Sequence, residues 1–129
     1  MGFERVDVER DQWCPEPFDL VISTCSLHHW RLPVEVLKSA RCLLKPAGMI
    51  WLLDDAAEVT AQQRDDWIAR VQQVTGPRLL FRIVYRFESR FLAYSRAELE
   101  RLGKPAALRL VEWRMLPSPF FVAKYAALT

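Results

Sequence analysis

Two short apolar runs and the amphipathic segment between them constrain the fold of this chain more than any other feature. The first run is the centre of the segment Phe18–Thr24, and the second is Met49–Leu53. Runs that no polar residue interrupts are typical of strands buried on both faces of a parallel sheet. Between them, Pro33–Leu44 begins with a proline and continues with apolar residues at helical spacing. The pattern predicts a strand, a helix and a parallel strand joined by a right-handed crossover.

The segments that flank this unit are less regular. Lys45–Gly48 combines a basic residue, a proline and a glycine, which together predict the end of the helix. Upstream, Phe3–Val8 alternates apolar and charged residues and predicts a weak strand. Cys14–Pro17 contains two prolines and breaks any regular structure before the first apolar run.

Two capping boxes mark helices in the second half of the chain. In a capping box, two residues three apart at the start of a helix form reciprocal hydrogen bonds between side chain and backbone N–H. The pairs Thr60–Gln63 and Ser95–Glu98 have this spacing. Each box predicts a helix, and the second helix is short and ends near Leu102.

The last two segments predict an antiparallel hairpin. Leu108–Met115 and Phe120–Ala127 are two strand-like runs joined through Pro117–Pro119. In contrast, Leu79–Leu92 mixes apolar residues and arginines in a pattern that fits a strand, a helix or a lid. The predicted fold class is therefore α/β, with parallel strands and a crossover helix followed by a carboxyl-terminal hairpin.

Composition excludes several classes of protein. Apolar residues make up 51% of the 129 residues, which favours one packed domain over residues 1–129 rather than a disordered chain. The net charge is +2 and no five like charges are adjacent, so no nucleic-acid partner is expected. The longest apolar stretches, Met49–Leu53 and Phe120–Ala123, are far shorter than the ~20 residues that span a bilayer, so no membrane partner is expected. The chain begins without the apolar stretch of a signal peptide, and its three cysteines are an odd number without CxxC spacing. A cytoplasmic location is therefore predicted.

Four segments in a fixed order carry a family resemblance. They are the FDLV start of Phe18–Thr24, the LHH turn within Ser26–Trp30, the LKPAG segment Leu43–Gly48, and the apolar run that ends at Asp54. Together they resemble the class I S-adenosylmethionine-dependent methyltransferases of the type 11-like, small-molecule kind. Tyr94–Leu99 is similar to the helix that precedes the closing hairpin of that family, so the resemblance spans residues 3–127. It implies a Rossmann-like fold, S-adenosylmethionine as cofactor and a small-molecule methyl acceptor.

The sequence departs from the family at its start. Family members open with a strand and a glycine-rich loop on which the methionine part of the cofactor packs. The four glycines here are Gly2, Gly48, Gly76 and Gly103, and no two of them form a G-x-G. The resemblance therefore implies the carboxyl-terminal part of a truncated domain. Ala47 also replaces a usual glycine, and a left-handed turn there would cost alanine about 1 kcal/mol or more.

The resemblance implies three cofactor-binding residues. Asp11 and Gln12 match the positions that meet the adenine amino group and ring nitrogen, although two solvated loop residues are the simpler interpretation. Thr24 ends the first strand beside the crevice in which open α/β sheets bind ligands, although it also suits a residue that only caps the strand.

The two histidines, His28 and His29, follow the same strand end and are the candidate catalytic residues. One of them is a candidate wall of the acceptor pocket or a general base, whereas at least one is expected to have a structural role. A metal site made of Cys25, His28 and His29 is disfavoured, because adjacent histidines tend to point apart, so no metal is predicted.

The other polar and aromatic residues near the predicted strand ends have mainly structural interpretations. Trp30 is expected in the core, with the lining of the acceptor pocket as the functional alternative. Asp54 and Asp55 are expected to be solvated loop carboxylates, with contact to a cationic acceptor as the functional alternative. Arg82, Arg86 and Arg90 recur every four residues and suit a solvated face, with a basic stripe at the pocket mouth as the alternative on a helix. Tyr85, Phe87, Phe91 and Tyr94 are candidates for an acceptor lid.

The resemblance leaves two functions open. One is a methyltransferase, active with a missing half or residually alone, and the other is a non-catalytic remnant that serves as an interaction module. A sheet without its usual neighbouring strand leaves the edge of Leu20–Ile22 unpaired. Three partners would pair with that edge: the segment Phe3–Val8, a second copy of the chain, or a separate amino-terminal half. A truncated gene or a misplaced start codon would give the same sequence.

Overall fold

The β-α-β unit forms as predicted, with one shift in its boundaries. The computed structural model describes residues 7, 16–75 and 79–128, apart from the side chains of residues 75, 81 and 88–90. Strand β1 is Phe18–Thr24, helix α1 is Pro33–Cys42 and strand β2 is Leu44–Asp55. A 3-10 turn, Leu27–His29, joins β1 to α1. Pro33 occupies the first turn of α1, where its missing N–H leaves no helical bond unmade.

The prediction that Lys45–Gly48 separates the helix from the second strand is wrong, because the strand already begins at Leu44. Phe18 pairs with Leu44, and Leu20 pairs with Met49, so Lys45–Gly48 is an irregular stretch within the ladder. A Cβ at Gly48 would lie 2.8 Å from the Phe18 carbonyl oxygen, which explains the glycine. The left-handed cost considered for Ala47 does not arise, since the described non-glycine residues with positive φ are Cys25 and Ala107.

Three further helices follow β2 within the described residues. They are α2 (Ala61–Thr75), α3 (Leu79–Phe91) and α4 (Arg96–Gly103). Both capping boxes are present: Gln63 N–H donates to Thr60 Oγ1 at 3.2 Å, and the Glu98 carboxylate accepts from Ser95 N–H at 2.7 Å. The segment whose class the sequence left open is therefore helical over Leu79–Phe91.

The hairpin is confirmed, with β3 at Leu108–Met115 and β4 at Phe120–Ala127. The sheet order is β1-β2-β4-β3, in which β1 and β2 are parallel and the other pairs are antiparallel. Among the described residues, β1 thus lies at an edge with β2 as its ladder partner. The predicted strand Phe3–Val8 lies outside the described residues except for Asp7, which is exposed.

The core lies on the face of the sheet that α1 and α4 cover. Ile50 and Tyr125 are paired across β2 and β4 and are buried, together with Leu37 of α1 and Leu99 of α4. The Tyr125 hydroxyl donates to the Leu99 carbonyl at 2.9 Å, which satisfies a buried polar group and joins α4 to the sheet. The expectation that Trp30 belongs to the core is confirmed, since it packs against this cluster.

Two apolar surfaces remain outside this core. Phe18, Leu20 and Ile22 alternate along β1 and are exposed, Ile22 by 55%. Helix α3 also exposes most of its large apolar side chains, including Leu80 and Phe87. Within the described ranges, none of the helices combines the length and the apolar composition that a bilayer crossing requires.

Candidate active site

The candidate site lies where the two parallel strands end. Because β1 and β2 are parallel, their carboxyl ends meet at one edge of the sheet. Thr24 ends β1, the turn Leu27–His29 follows it, and Asp54 and Asp55 end β2 beside that turn. The sequence thus brings two histidines and two carboxylates to the same edge.

Asp54 organises the turn. Its side chain is 1% exposed, and its Oδ2 accepts the backbone N–H of Leu27 at 2.8 Å. Its Oδ1 lies 2.5 Å from His28 Nδ1 and accepts the backbone N–H of Asp55 at 2.9 Å. These bonds compensate for removing the carboxylate from water, which would otherwise be costly.

The structure places the two histidines in different surroundings. The His28 side chain is largely buried against Asp54, whereas His29 is exposed and contacts the His28 ring, with 4.0 Å between ring centroids. A carboxylate only accepts hydrogen bonds, so the His28–Asp54 contact places a proton on Nδ1 and leaves Nε2 as the nitrogen that can accept one. Of the two histidines, His28 therefore has the hydrogen-bonding geometry that a general base requires, and its catalytic role stays a prediction.

Asp55 is held from the opposite side by α3. The Tyr85 hydroxyl donates to Asp55 Oδ1 at 3.2 Å, and both side chains are buried. Burial, followed by the charge and hydrogen bond of Asp55, raises the pKa of Tyr85 well above its ordinary value. The expectation that Asp54 and Asp55 are solvated loop residues is therefore wrong, because both are the last residues of a buried strand.

The pKa values of two neighbouring groups, Cys25 and Tyr94, are raised. Burial and the charges of Asp54 and Asp55 raise the pKa of Cys25, so its thiol stays protonated at neutral pH. Burial, Asp54 and Glu98 likewise raise the pKa of Tyr94. Neither group is therefore an activated nucleophile.

A metal site would draw on a different set of residues from the one considered in the sequence. Among the described residues, His28, Asp54 and Asp55 offer ligand atoms within 4.8 Å of one another. Both Asp54 oxygens and one Asp55 oxygen already accept hydrogen bonds from protein donors. This arrangement favours a hydrogen-bonded network over metal coordination.

Thr24 borders a cavity of about 350 Å³ between β1 and α1. Ser23, Ser26 and Trp30 also line it, and the two serine hydroxyls lie 2.5 Å apart. This places Thr24 next to a space of ligand size, while its role in cofactor binding stays a prediction. Asp11 and Gln12 lie outside the described residues.

The residue that sequence reasoning missed is Asp54 as the partner of His28. Its position at the end of one parallel strand, with a histidine just after the neighbouring strand, was a usable signal. Tyr85 was considered only as a lid residue, and no local pattern in the sequence linked it to Asp55.

Comparisons with known proteins agree with this architecture. Residues 2–52 match the methyltransferase domain family. The chain is 38% identical over 58 residues to a polyketide synthase-nonribosomal peptide synthetase of Aspergillus clavatus, a match that covers 42% of the chain and 1% of that protein. It is 36% identical over 58 residues to the highly reducing polyketide synthase pkhB of Emericella nidulans, covering 42% of the chain and 2% of that protein.

Solved structures share the fold at low sequence identity. TnmH superposes with a TM-score of 0.68 at 19% identity, over 98% of this chain and 34% of TnmH. A SAM dependent methyltransferase from Aquifex aeolicus gives 0.66 at 13% identity, over 96% of this chain and 53% of that protein. The O-methyltransferase NcsB1, in complex with S-adenosyl-L-homocysteine and 1,4-dihydroxy-2-naphthoic acid, gives 0.59 at 17% identity, over 88% and 30%.

These structural matches show that the chain has the fold of the class I methyltransferases. With the match of residues 2–52 to the methyltransferase domain family, they support the resemblance in the sequence, and the chain has part of the class I methyltransferase fold. The chain spans 1–2% of the curated relatives and about a third to a half of the solved structures named above.

Proposed function

We propose that this chain takes part in S-adenosylmethionine-dependent methylation of a hydroxyl group on a small-molecule acceptor. The observation that carries the proposal is the His28–Asp54 pair at the edge where β1 and β2 end. A base at this place is useful when the acceptor must lose a proton, as a hydroxyl group must. A neighbour of the same fold, NcsB1, is an O-methyltransferase seen with a dihydroxynaphthoic acid.

His28 would accept the hydroxyl proton at Nε2 while Asp54 stabilises the resulting imidazolium through Nδ1. The cofactor supplies an electrophilic methyl group on a sulfonium. The new O–CH3 bond forms as the S–CH3 bond breaks, so the acceptor oxygen needs no further activation, and the imidazolium afterwards returns its proton to water. The pocket walls contribute by holding the acceptor in line and by excluding water.

The cavity beside Thr24 suits part of the cofactor. Its volume of about 350 Å³ lies within the usual range for small-molecule sites, and its apolar wall carries the hydroxyls of Ser23, Thr24 and Ser26. By resemblance, Asp11 and Gln12 would hold the adenine and Thr24 would lie beside the cofactor. The glycine-rich loop that would receive the methionine part has no counterpart among the four glycines.

A further strand would complete the site. The exposed residues Phe18, Leu20 and Ile22 lie on the edge strand β1, and an apolar edge of this kind is a pairing surface. A separate amino-terminal half, or a second copy of this chain, would cover it. The same exposed edge favours the alternative function, a non-catalytic module whose purpose is the pairing itself.

Calorimetric titration with S-adenosylhomocysteine tests cofactor binding. We expect one-to-one binding, and we expect Asp11→Ala and Thr24→Ala to weaken it about tenfold, the effect of one lost hydrogen bond of about 1.4 kcal/mol. Thr24→Ser keeps the hydroxyl and Asp19→Ala removes an exposed carboxylate from the start of β1, so both serve as controls. Absence of binding by the chain, alone or with an added amino-terminal half, would favour the non-catalytic module.

Transfer of labelled methyl from S-adenosylmethionine to 1,4-dihydroxy-2-naphthoic acid tests the role of His28. We expect His28→Ala to lower kcat by a factor of about 100 or more, the usual contribution of a general base, without changing cofactor affinity. The adjacent exposed histidine gives a matched control, His29→Ala, which should keep most of the activity. Equal losses in the two variants would refute the assignment of His28 as the base.

Sedimentation velocity separates the two sources of the further strand. If a second copy of the chain pairs with β1, we expect a dimer, and Ile22→Lys should dissociate it because it places a charge on the pairing surface. A separate half predicts a monomer that forms a heterodimer when an amino-terminal methyltransferase segment is added. A monomer that does neither would refute the pairing role of β1.

A further inference from the structure

Arg64 lies on the side of α2 that packs against the sheet. Ile68, four residues later, is 3% exposed, and the Trp67 ring packs edge-on against Phe120 with 5.4 Å between ring centroids. Residues three and four apart share one face of a helix, so Arg64 continues this packed face toward the start of α2. Phe120 is paired with Asp55 across β4 and β2, which brings the same face to the end of β2.

Helix α3 places Arg64 at the candidate site from a second direction. Arg86 Nη2 of α3 binds Asp65 Oδ1 of α2 at 2.6 Å, and the residues just before these two are Tyr85 and Arg64. The Tyr85 hydroxyl donates to Asp55 Oδ1 at 3.2 Å. Burial, followed by the charge and hydrogen bond of Asp55, raises the pKa of Tyr85, and the positive charge of Arg64 opposes that rise, which is consistent with its position beside them.

The guanidinium of Arg64 has no partner among the described residues. Its Nε is buried without a hydrogen-bond acceptor, and its terminal nitrogens are not buried, so a ligand can reach them. In contrast, the nearby carboxylates already accept protein donors, Asp54 from the backbone N–H of Leu27 and Asp55 from the hydroxyl of Tyr85. Partly buried charges usually have a partner, so the positive charge of Arg64 is the one that an anion could compensate.

We propose that Arg64 binds a carboxylate group of the small molecule that occupies this site. A guanidinium is permanently charged and offers N–H groups in a plane that matches a carboxylate. The carboxylate has two possible sources, the methyl acceptor, which would then be a hydroxy acid, and the methionine part of the cofactor. The proposal rests on the proposed function for the identity of these ligands, whereas the binding itself can be measured without methyl transfer.

Two pairs of ligands, each differing in its carboxylate, test the proposal in calorimetric titrations of the full chain. The acceptor pair is 1-hydroxy-2-naphthoate and 1-naphthol. The cofactor pair is S-adenosylhomocysteine and methylthioadenosine, which lacks the amino-acid part. We expect the acceptor pair to respond to Arg64, because the cavity that suits the cofactor is lined by β1 and α1, whereas Arg64 belongs to α2.

The expected preference follows from one hydrogen-bonded charge pair. The wild type should bind 1-hydroxy-2-naphthoate about tenfold or more tightly than 1-naphthol. Arg64→Gln should remove this preference and leave the affinity for 1-naphthol within about twofold. Arg70→Gln is the matched control, since it makes the same change of charge at an exposed position of the same helix and should keep the preference. If Arg64→Gln does not fold, Arg64→Met, which keeps a long side chain, is compared in the same way.

The remaining outcomes either locate the carboxylate or overturn the proposal. If Arg64→Gln weakens S-adenosylhomocysteine relative to methylthioadenosine and leaves the acceptor pair unchanged, the carboxylate is that of the cofactor. Equal affinity within both pairs, absence of binding by both carboxylates, or a preference that folded Arg64→Gln retains would overturn the proposal. A variant that loses only stability would identify Arg64 as a counter-ion of Asp55, which also overturns it.

Failure of this proposal differs from failure of the proposed function. Methyl transfer to 1-naphthol as fast as to 1-hydroxy-2-naphthoate, with no preference in binding either pair, would support the methyltransferase and refute the role of Arg64. Carboxylate binding that depends on Arg64, without any methyl transfer, would refute the proposed function and keep the binding site.

Discussion

Replacing Asp54 by asparagine tests how the site is held together. Asp54 is buried and accepts hydrogen bonds from Leu27 N–H, Asp55 N–H and His28. The asparagine carbonyl can replace Oδ1 and keep the last two contacts, but its amide group then faces the buried N–H of Leu27. In the variant, the N–H of Leu27 would face the amide NH2 group of the asparagine, another donor, in place of the carboxylate oxygen that accepts it now.

The expected loss follows from these contacts. A buried N–H that loses its charged acceptor costs about 1–3 kcal/mol, and the two remaining bonds lose part of the strength that the charge gave them. We therefore expect Asp54→Asn to lower the free energy of unfolding by about 3 kcal/mol, a large part of the 5–15 kcal/mol that is typical of a domain.

Urea denaturation followed by tryptophan fluorescence measures this loss, because the chain has five tryptophans. Asp19→Asn is the matched control: its exposed carboxylate pairs with Lys45 at 2.7 Å, and its loss should change stability by less than about 1 kcal/mol. If Asp54→Asn unfolds within about 0.5 kcal/mol of the wild type at the same m-value, Asp54 does not hold the turn and the account of the site is wrong.

Two other substitutions test the packing and the capping around the core. Gly103→Ala should destabilise the chain by about 1–3 kcal/mol in thermal unfolding, although alanine is usually the better helix former, because its Cβ would lie 2.9 Å from the Leu108 carbonyl oxygen and from the Tyr125 ring. A stabilising effect would show that α4 can move away from the sheet. Hydrogen bonds from the Ser95 backbone and side chain lower the pKa of Glu98 below its ordinary 4.5, so its stabilising contribution is present above pH 4.5 and is lost as the pH falls through the folded-state pKa. Glu98→Gln should therefore be less stable than the wild type at pH 6 and equally stable near pH 2, and a constant difference in denaturation midpoint across that range would contradict the capping role.

Several elements could be predicted from the sequence because their signals are local. The capping boxes Thr60–Gln63 and Ser95–Glu98 join residues three apart, and the two strands of the hairpin have the apolar patterning of paired strands. The β-α-β unit followed from two uninterrupted apolar runs on either side of a helical pattern. The family resemblance then added the Rossmann-like arrangement.

The predictions that were wrong concern residues whose positions depend on contacts between distant parts of the chain. Leu44 continues the helical spacing of α1, yet it joins β2 because Phe18 pairs with it. Asp54 and Asp55 have the sequence of a polar loop, yet they are buried because the backbone N–H of Leu27 and the hydroxyl of Tyr85 compensate for their charges.

The sequence by itself determined the order and class of most elements, since periodicity and capping act over a few residues. Only the tertiary structure buried Asp54 beside His28 rather than beside His29, and placed α3 against the site through the contact of Tyr85 with Asp55. These features depend on groups 26 and 30 residues apart in the chain, which meet only after β1 and β2 pair and the helices pack around them.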